Sequence, residues 1–401
     1  MDKSNIWRNR FPIFQHHPNW VYLDSAATSQ TLDSVIERMY GFSVRENSSI
    51  HRGIYDQAKK ATERYEETRV KIAKFLNAKS HKNIGFTKGT TESINIIARS
   101  YLEPEMTQEN NVIVSILEHH SNFLPWQEVC RRKGAELRIL PLTNGQLLPG
   151  SLENLMDENT SFVALNHISN TLGRINPIKE LIMKCREHRI PVMVDAAQSA
   201  ALHPLHVEEL GCDFLAFSGH KMFGPMGTGV LYARDEYRER IEPWMVGGGI
   251  IEDVGLNASR YRSFPYNLDA GTPNVQGILA MVEAVEFLES LDRKAARKYV
   301  AGMVSRFAEG VKGWDELEIL PFYDEESGIV SFHIGHIHAH DIAGYLNRDG
   351  IAIRAGTHCT QPLLEEFGLE ATARVSFSIY NTYDEVDKLI DSLRNLIEFW
   401  K

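Results

Sequence analysis

The sequence predicts an α/β protein: a mostly parallel sheet with helices on both faces, then a smaller C-terminal α/β unit. Three observations carry this. Short apolar runs recur through the first two thirds of the chain, and they are continuous rather than alternating, as in strands buried on both faces. Helical patterns separate them, which implies crossover connections and parallel neighbours. At 401 residues the chain is too long for one compact core. The division is read as 20–270 for a large unit and 271–401 for a small one, with residues 1–19 packing on the small unit.

Each element has its own signal. Residues 55–77 place Tyr65, Ile72, Phe75 and Leu76 on one helical face with charge opposite. Strands are predicted at 112–117 (VIVSIL), 137–140 (LRIL), 162–165 (FVAL), 192–195 (VMVD), 214–218 (FLAFS) and 229–233 (GVLYA). Helical patterns fill 152–158 and 178–188. From 245 to 275 the periodicity lapses into GGG (247–249) and FPYNLDAGTPN (264–274), read as a long functional connection. A long helix opens at Val275. Strands near 329–334 and 374–379 and a final helix from Asp384 belong to the second unit.

Composition narrows the function. There are 43 basic and 53 acidic residues, a net charge of −10. Such a chain has no electrostatic reason to bind nucleic acid or an anionic membrane, and neither is expected as a partner. No apolar run has the length of a signal peptide or a membrane span. The four cysteines (130, 185, 212 and 359) lie far apart and form no CxxC pair. That argues against a disulfide framework or a cysteine-only zinc site, and a reducing cytoplasm is the expected location.

Polar residues gather after the strands, where α/β sheets bind ligands. EHHSN (118–122), HISN (167–170), Asp195 and SGHK (218–221) all occupy such ends. Lys221, followed by a glycine-rich turn, is placed for desolvation. That lowers the pKa of its amine and suits Schiff-base chemistry on a small amino acid; a solvated loop lysine is the alternative. Asp195 has an apolar strand behind it, and a protonated pyridine nitrogen is a fitting partner; a helix N-cap is the alternative. Gly89, Thr90 and Thr91 open a helix and suit a phosphate, to which Ser218 and His220 add donors; an ordinary cap competes with this. His119, or His120 beside it, is placed to stack on a planar ring or shuttle protons; a structural histidine is the alternative. Cys359 lies in a polar loop with Arg354 and His358, a positive setting that activates a thiol; a buried small hydrophobe is the other role open to it. Arg374 begins an apolar strand, where a substrate carboxylate and a structural salt bridge are both suitable partners.

These motifs, together with YLDSAAT (22–28), IHRG (50–53), AGTPN (270–274) and YNT (380–382), resemble the class V aminotransferase-like family of fold type I pyridoxal-phosphate enzymes. Within it they resemble the SufS-type cysteine desulfurases (cysteine desulfurase/selenocysteine lyase). The resemblance spans nearly the whole chain and implies a seven-stranded large-domain sheet. It implies pyridoxal 5'-phosphate held covalently on Lys221, with Asp195 at the ring nitrogen, Gln198 at the ring hydroxyl and His119 stacked on the ring. Thr90, Thr91, Ser218 and His220 would hold the phosphate, and Thr272 would reach it from the neighbouring subunit of a homodimer. Asn170, Arg354 and Arg374 would bind the substrate, with His51 near them. Cys359, in a short loop, would accept sulfur from L-cysteine, or selenium from L-selenocysteine. A SufE- or SufU-type acceptor protein would take the sulfur on toward iron–sulfur clusters. A kynureninase- or transaminase-like enzyme and a non-catalytic scaffold are the competing readings. In HIGHIHAHD (333–341), His336, His338 and His340 alternate and are expected on one face of a strand. A solvated histidine run is one reading; a contact from His340 to the zinc of an acceptor is the other.

Overall fold

The computed structural model describes residues 5–401, so residues 1–4 of the segment expected to pack on the small unit lie outside it. Its centre is a seven-stranded sheet: β1 (Ile84–Thr87), β2 (Asn111–Ser115), β3 (Glu136–Leu140), β4 (Thr160–Asn166), β5 (Val192–Asp195), β6 (Phe214–Ser218) and β7 (Gly229–Ala233). The spatial order is β1-β7-β6-β5-β4-β2-β3. β3, β2, β4, β5 and β6 are mutually parallel, and β7 runs antiparallel to both β6 and β1. The five predicted strands from 137 to 233 match within two residues at nearly every end. Their continuous apolar character follows from helices covering both faces.

A second, four-stranded antiparallel sheet follows: β8 (Leu317–Ile319), β9 (Ile329–Ile334), β10 (Arg354–Gly356) and β11 (Thr372–Ser376), in the order β8-β9-β11-β10. The N-terminal segment runs into it. Val21–Tyr22 pairs in parallel with Ile351–Ala352, and Asp24 bridges to Ser376. The Asn5 side-chain amide donates to the carbonyls of Ile379 and Asn381, each at 2.8 Å. The final helix, Tyr383–Trp400, is closed at its start by a capping box between Thr382 and Glu385.

Two expectations change. The stretch 245–275 contains a β-hairpin, Ile251–Val254 with Ser259–Tyr261, whose residues are largely exposed. The three alternating histidines do not lie on a strand. β9 ends at Ile334, Gly335 turns the chain at φ +39°, and His338 caps the helix Ala339–Arg348. Its Nδ1 accepts the His340 N–H at 3.3 Å. The helical spacing of buried Ala339, Ile342 and Leu346 outweighs the two-residue histidine repeat. All three histidines are exposed.

Candidate active site

A cavity of about 210 Å³ opens where the carboxyl ends of β1, β2, β4, β5 and β6 meet the second sheet. Thr90, Thr91, His119, Asn170, Asp195, Gln198, Ser218, His220, Lys221, Arg354, Cys359 and Arg374 all line it. His51 and Thr272 do not line the cavity of this chain; both are exposed.

One end of the cavity is a cluster of hydrogen-bond donors. Gly89, at φ +154°, turns β1 into the helix that starts at Thr90. The Thr90 N–H donates to Ser218 Oγ at 2.9 Å, and the two hydroxyls lie 2.8 Å apart. Thr91 Oγ1 meets Ser121 Oγ at 2.7 Å. Burial, with Lys221 adding to it, pulls His220 down to about 4, so its neutral ring offers a hydrogen bond rather than a charge. Backbone N–H groups and hydroxyls at a helix start suit a phosphate.

Asp195 lies beyond, 6% exposed. One oxygen accepts the Ala197 N–H at 2.9 Å, and no α-helix follows, so the cap reading falls away. Among the described residues no cation is hydrogen-bonded to it. Burial raises its pKa, opposed by the Ala197 N–H and by Lys221. A buried carboxylate lacking a cation is the complement of a protonated ring nitrogen. Gln198 donates to the Ala26 carbonyl at 2.9 Å. Donor cluster, lone carboxylate and amine together fit the phosphate, ring nitrogen and aldehyde of pyridoxal phosphate.

Lys221 ends a tight turn directly after β6. Desolvation lowers its amine to about 8, while Asp195 pulls the other way. His119 Nδ1 accepts the Ser121 N–H at 3.0 Å, which leaves the proton of the neutral ring on Nε2. Burial, reinforced by Lys221, holds His119 down at about 3. His120 does not line the cavity; its Nε2 accepts from the Gln361 N–H at 3.4 Å.

The second sheet supplies the opposite wall. Cys359 is partly exposed at φ +59°, and an Arg354 Nη2 donates toward its sulfur at 3.6 Å. Its loop is fastened to the large sheet. The His120 N–H donates to the Cys359 carbonyl at 2.7 Å, and Asn170 Nδ2 donates to the His358 carbonyl at 2.7 Å. His358 does not supply the positive setting expected of it. Its Nε2 lies 3.0 Å from the Thr372 carbonyl, and burial pushes it down to about 2, so it is a neutral anchor. Arg354 and Arg374 are directly opposed across β10 and β11, an arrangement that costs free energy between like charges. Arg374 is 1% exposed, donates to the Asn170 carbonyl at 2.8 Å and to Asp24 Oδ1 at 3.0 Å, and leaves Nε without a partner.

Several residues escaped the sequence reading. Asp24 ends the apolar VYL run as Asp195 ends VMV, so the same signal was present. Ser121 and Asn166 also line the cavity. Glu118, 1% exposed, accepts from Ser115 Oγ and Asn122 Nδ2 at 2.5 Å and from the Asn166 N–H at 2.9 Å. It ties the ends of β2 and β4 to the helix His120–Lys133 that carries Asn122, and burial raises its carboxyl to about 8. The remaining cysteines, Cys130, Cys185 and Cys212, are buried free thiols that burial pushes up to about 11, 12 and 12.

The sequence profile described as aminotransferase class-V matches residues 21–389. The chain belongs to the class V aminotransferase family. This is a family of pyridoxal-phosphate enzymes with a mostly parallel seven-stranded sheet, as here. Among class V relatives, a probable cysteine desulfurase from Halalkalibacterium halodurans is 40% identical over 396 residues, 97% of either chain. The crystal structure of the cysteine desulfurase CsdA (S-sulfonic acid) from Escherichia coli superposes with a TM-score of 0.91, at 36% identity over 98% of both chains. The apo structure of cysteine desulfurase from Thermococcus onnurineus NA1 gives 0.93 at 32% identity over 99% of both.

Proposed function

We propose that this chain is a cysteine desulfurase that holds pyridoxal 5'-phosphate on Lys221 and converts L-cysteine to L-alanine, leaving the sulfur on Cys359. The observation that carries the reading is the presence of Cys359 in the same cavity as Lys221 and Asp195. A transaminase- or kynureninase-like enzyme has no use for a thiol there.

Bound in the cavity, the cofactor ring supplies an electron sink for the bond breaking at Cα. The chain does the rest. Asp195 would keep the proton on the ring nitrogen, Gln198 would serve the ring hydroxyl and His119 would stack on the ring. Thr90, Thr91, Ser218 and His220 would hold the phosphate, joined by Thr272 of a second copy in a homodimer. Arg374 grips the substrate carboxylate, with Asn170 and Arg354 beside it and His51 near the entrance. Lys221 Nζ removes the Cα proton. Cys359 Sγ then attacks the substrate sulfur; the new S–S bond forms as the Cβ–S bond breaks, and the carbon fragment leaves as alanine after protonation. The persulfide passes to a SufE- or SufU-type acceptor in the cytoplasm for iron–sulfur cluster assembly. His340, exposed on the helix that flanks the Cys359 loop, is the proposed contact to an acceptor's zinc.

The test is incubation with L-cysteine, measuring alanine and sulfide with and without acceptor. Wild type forms alanine without a keto acid, and Cys359→Ser forms at least ~100-fold less. Acceptor stimulation falls in His340→Ala if the zinc contact is real, and is unchanged if these are only solvated histidines. Alanine formation that survives Cys359→Ser would end the sulfur-transfer reading. If Cys359→Ala loses activity on cysteine but keeps it on L-selenocysteine, the enzyme serves as a selenocysteine lyase too.

A further inference from the structure

We propose that Asp24 is a positioning residue that presents Arg374 to the carboxylate of the substrate. The inference rests on the reading above in taking an amino acid as the ligand, Arg374 as the group that grips its carboxylate and pyridoxal phosphate as the cofactor, but not on sulfur transfer.

Arg374 is a poor place for a cation. Its side chain is 1% exposed and it faces Arg354 directly across the ladder. Burial pulls it down to about 10, and Asp24 is the strongest influence in the other direction. Among the described residues Asp24 is the only carboxylate within ion-pair distance of either arginine. It takes one edge of the guanidinium at Nη2, and the Asn170 carbonyl takes Nη1. Two of five N–H groups are thus spent on orientation, and the plane of the fork is set before any ligand arrives. The buried Nε has no partner, so the fork keeps donor capacity for an incoming anion.

Asp24 itself is held rigidly. Leu23 N–H donates to the Ala352 carbonyl at 2.9 Å, Ser376 N–H to the Leu23 carbonyl at 2.8 Å, and Ala26 N–H to Ser376 Oγ at 2.9 Å. The carboxylate is delivered by backbone pairing that also carries Ala26 and Ala27 into the cavity wall. Asp24 and the ligand both seek the same guanidinium, so its removal has two opposing consequences. It frees donors for the ligand, and it leaves a buried fork unanchored beside a like charge. For a side chain this buried, loss of orientation dominates.

The experiment titrates the cofactor-loaded enzyme with L-alanine and with L-alaninamide, which lacks the carboxylate, following the visible absorbance of the cofactor. Asp24→Ala is expected to weaken L-alanine about 10-fold and L-alaninamide less than about 2-fold, while Asp24→Asn, which keeps an acceptor, weakens L-alanine about 3-fold. Tighter L-alanine binding in Asp24→Ala would make Asp24 a competitor and overturn the proposal. Equal weakening of both ligands would make it structural, and no preference of wild type for L-alanine would remove the carboxylate subsite. None of these readings depends on turnover of cysteine, so failure of the desulfurase assignment is seen separately.

Discussion

Lys221 sits where burial strips water from its amine while Asp195 returns part of the lost stabilisation. With its pKa lowered to about 8, half of the side chain is a neutral nucleophile at that pH, whereas a solvated lysine reaches that point near 10.5. Loading of cofactor onto the cofactor-free protein should therefore speed up as pH rises and level off a little above 8. Rapid mixing with pyridoxal phosphate, followed in the visible band, reads this directly; a rate still climbing past pH 10 would mean a solvated amine. Legibility also divides at this scale. Lys221 stood out because it follows an apolar strand, Asp195 because it ends one, and Cys359 because its neighbours are polar and basic. Asp24 carried the same signal but lies 350 positions from Arg374, and nothing local marks their pairing.

At the scale of elements, the turn after β1 and the start of β7 are packed backbone to backbone. A Cβ at Gly229 would lie 2.5 Å from Gly89 Cα and 2.6 Å from its nitrogen. Gly229→Ala must therefore push β7 away from the turn that carries Thr90 and Thr91. The expected result is a fall in cofactor affinity of at least about 10-fold, with the secondary structure retained. Spectral titration of the cofactor-free variant measures it, and unchanged affinity would remove the phosphate role from this turn. The Cys359 loop makes a related point. Its sequence shows a short glycine-containing turn, but the ties from His120 and Asn170 that hold it against the large sheet appear only in three dimensions. The histidine stretch after β9 misled for a simple reason. A period of two in polar residues says little when Ala339, Ile342 and Leu346, running on past them, repeat at helical spacing.

Over the whole molecule, Phe11 joins the parts. It is fully buried, and its ring meets Phe223, Phe287 and Tyr380 at 5.4, 6.4 and 4.9 Å. Phe223 lies two residues past Lys221, and Tyr380 belongs to the C-terminal part. Phe11→Ala should cost about 3–5 kcal/mol, as for other large core truncations, and loosen the segment beyond Lys221. Denaturant midpoints with cofactor affinity test both; a loss under about 1 kcal/mol would show that the N-terminal segment is dispensable.

The sequence by itself determined six of the seven strands of the large sheet and the helical stretches between them, the choice of strand ends as the binding edge, and the residues most costly to bury without a ligand. Those depend on apolar periodicity and on single residues out of keeping with their neighbours, both readable over a few positions. Only the tertiary structure decided that Arg354 and Arg374 stand face to face, that His358 turns away as a neutral anchor, and that Asp24 comes to the buried guanidinium. Such pairings join residues that are not neighbours in the chain, 14 positions apart for His358 and Thr372 and 350 for Asp24 and Arg374. Their free energy comes from desolvation and charge at contact distance, which leave no trace in local sequence pattern.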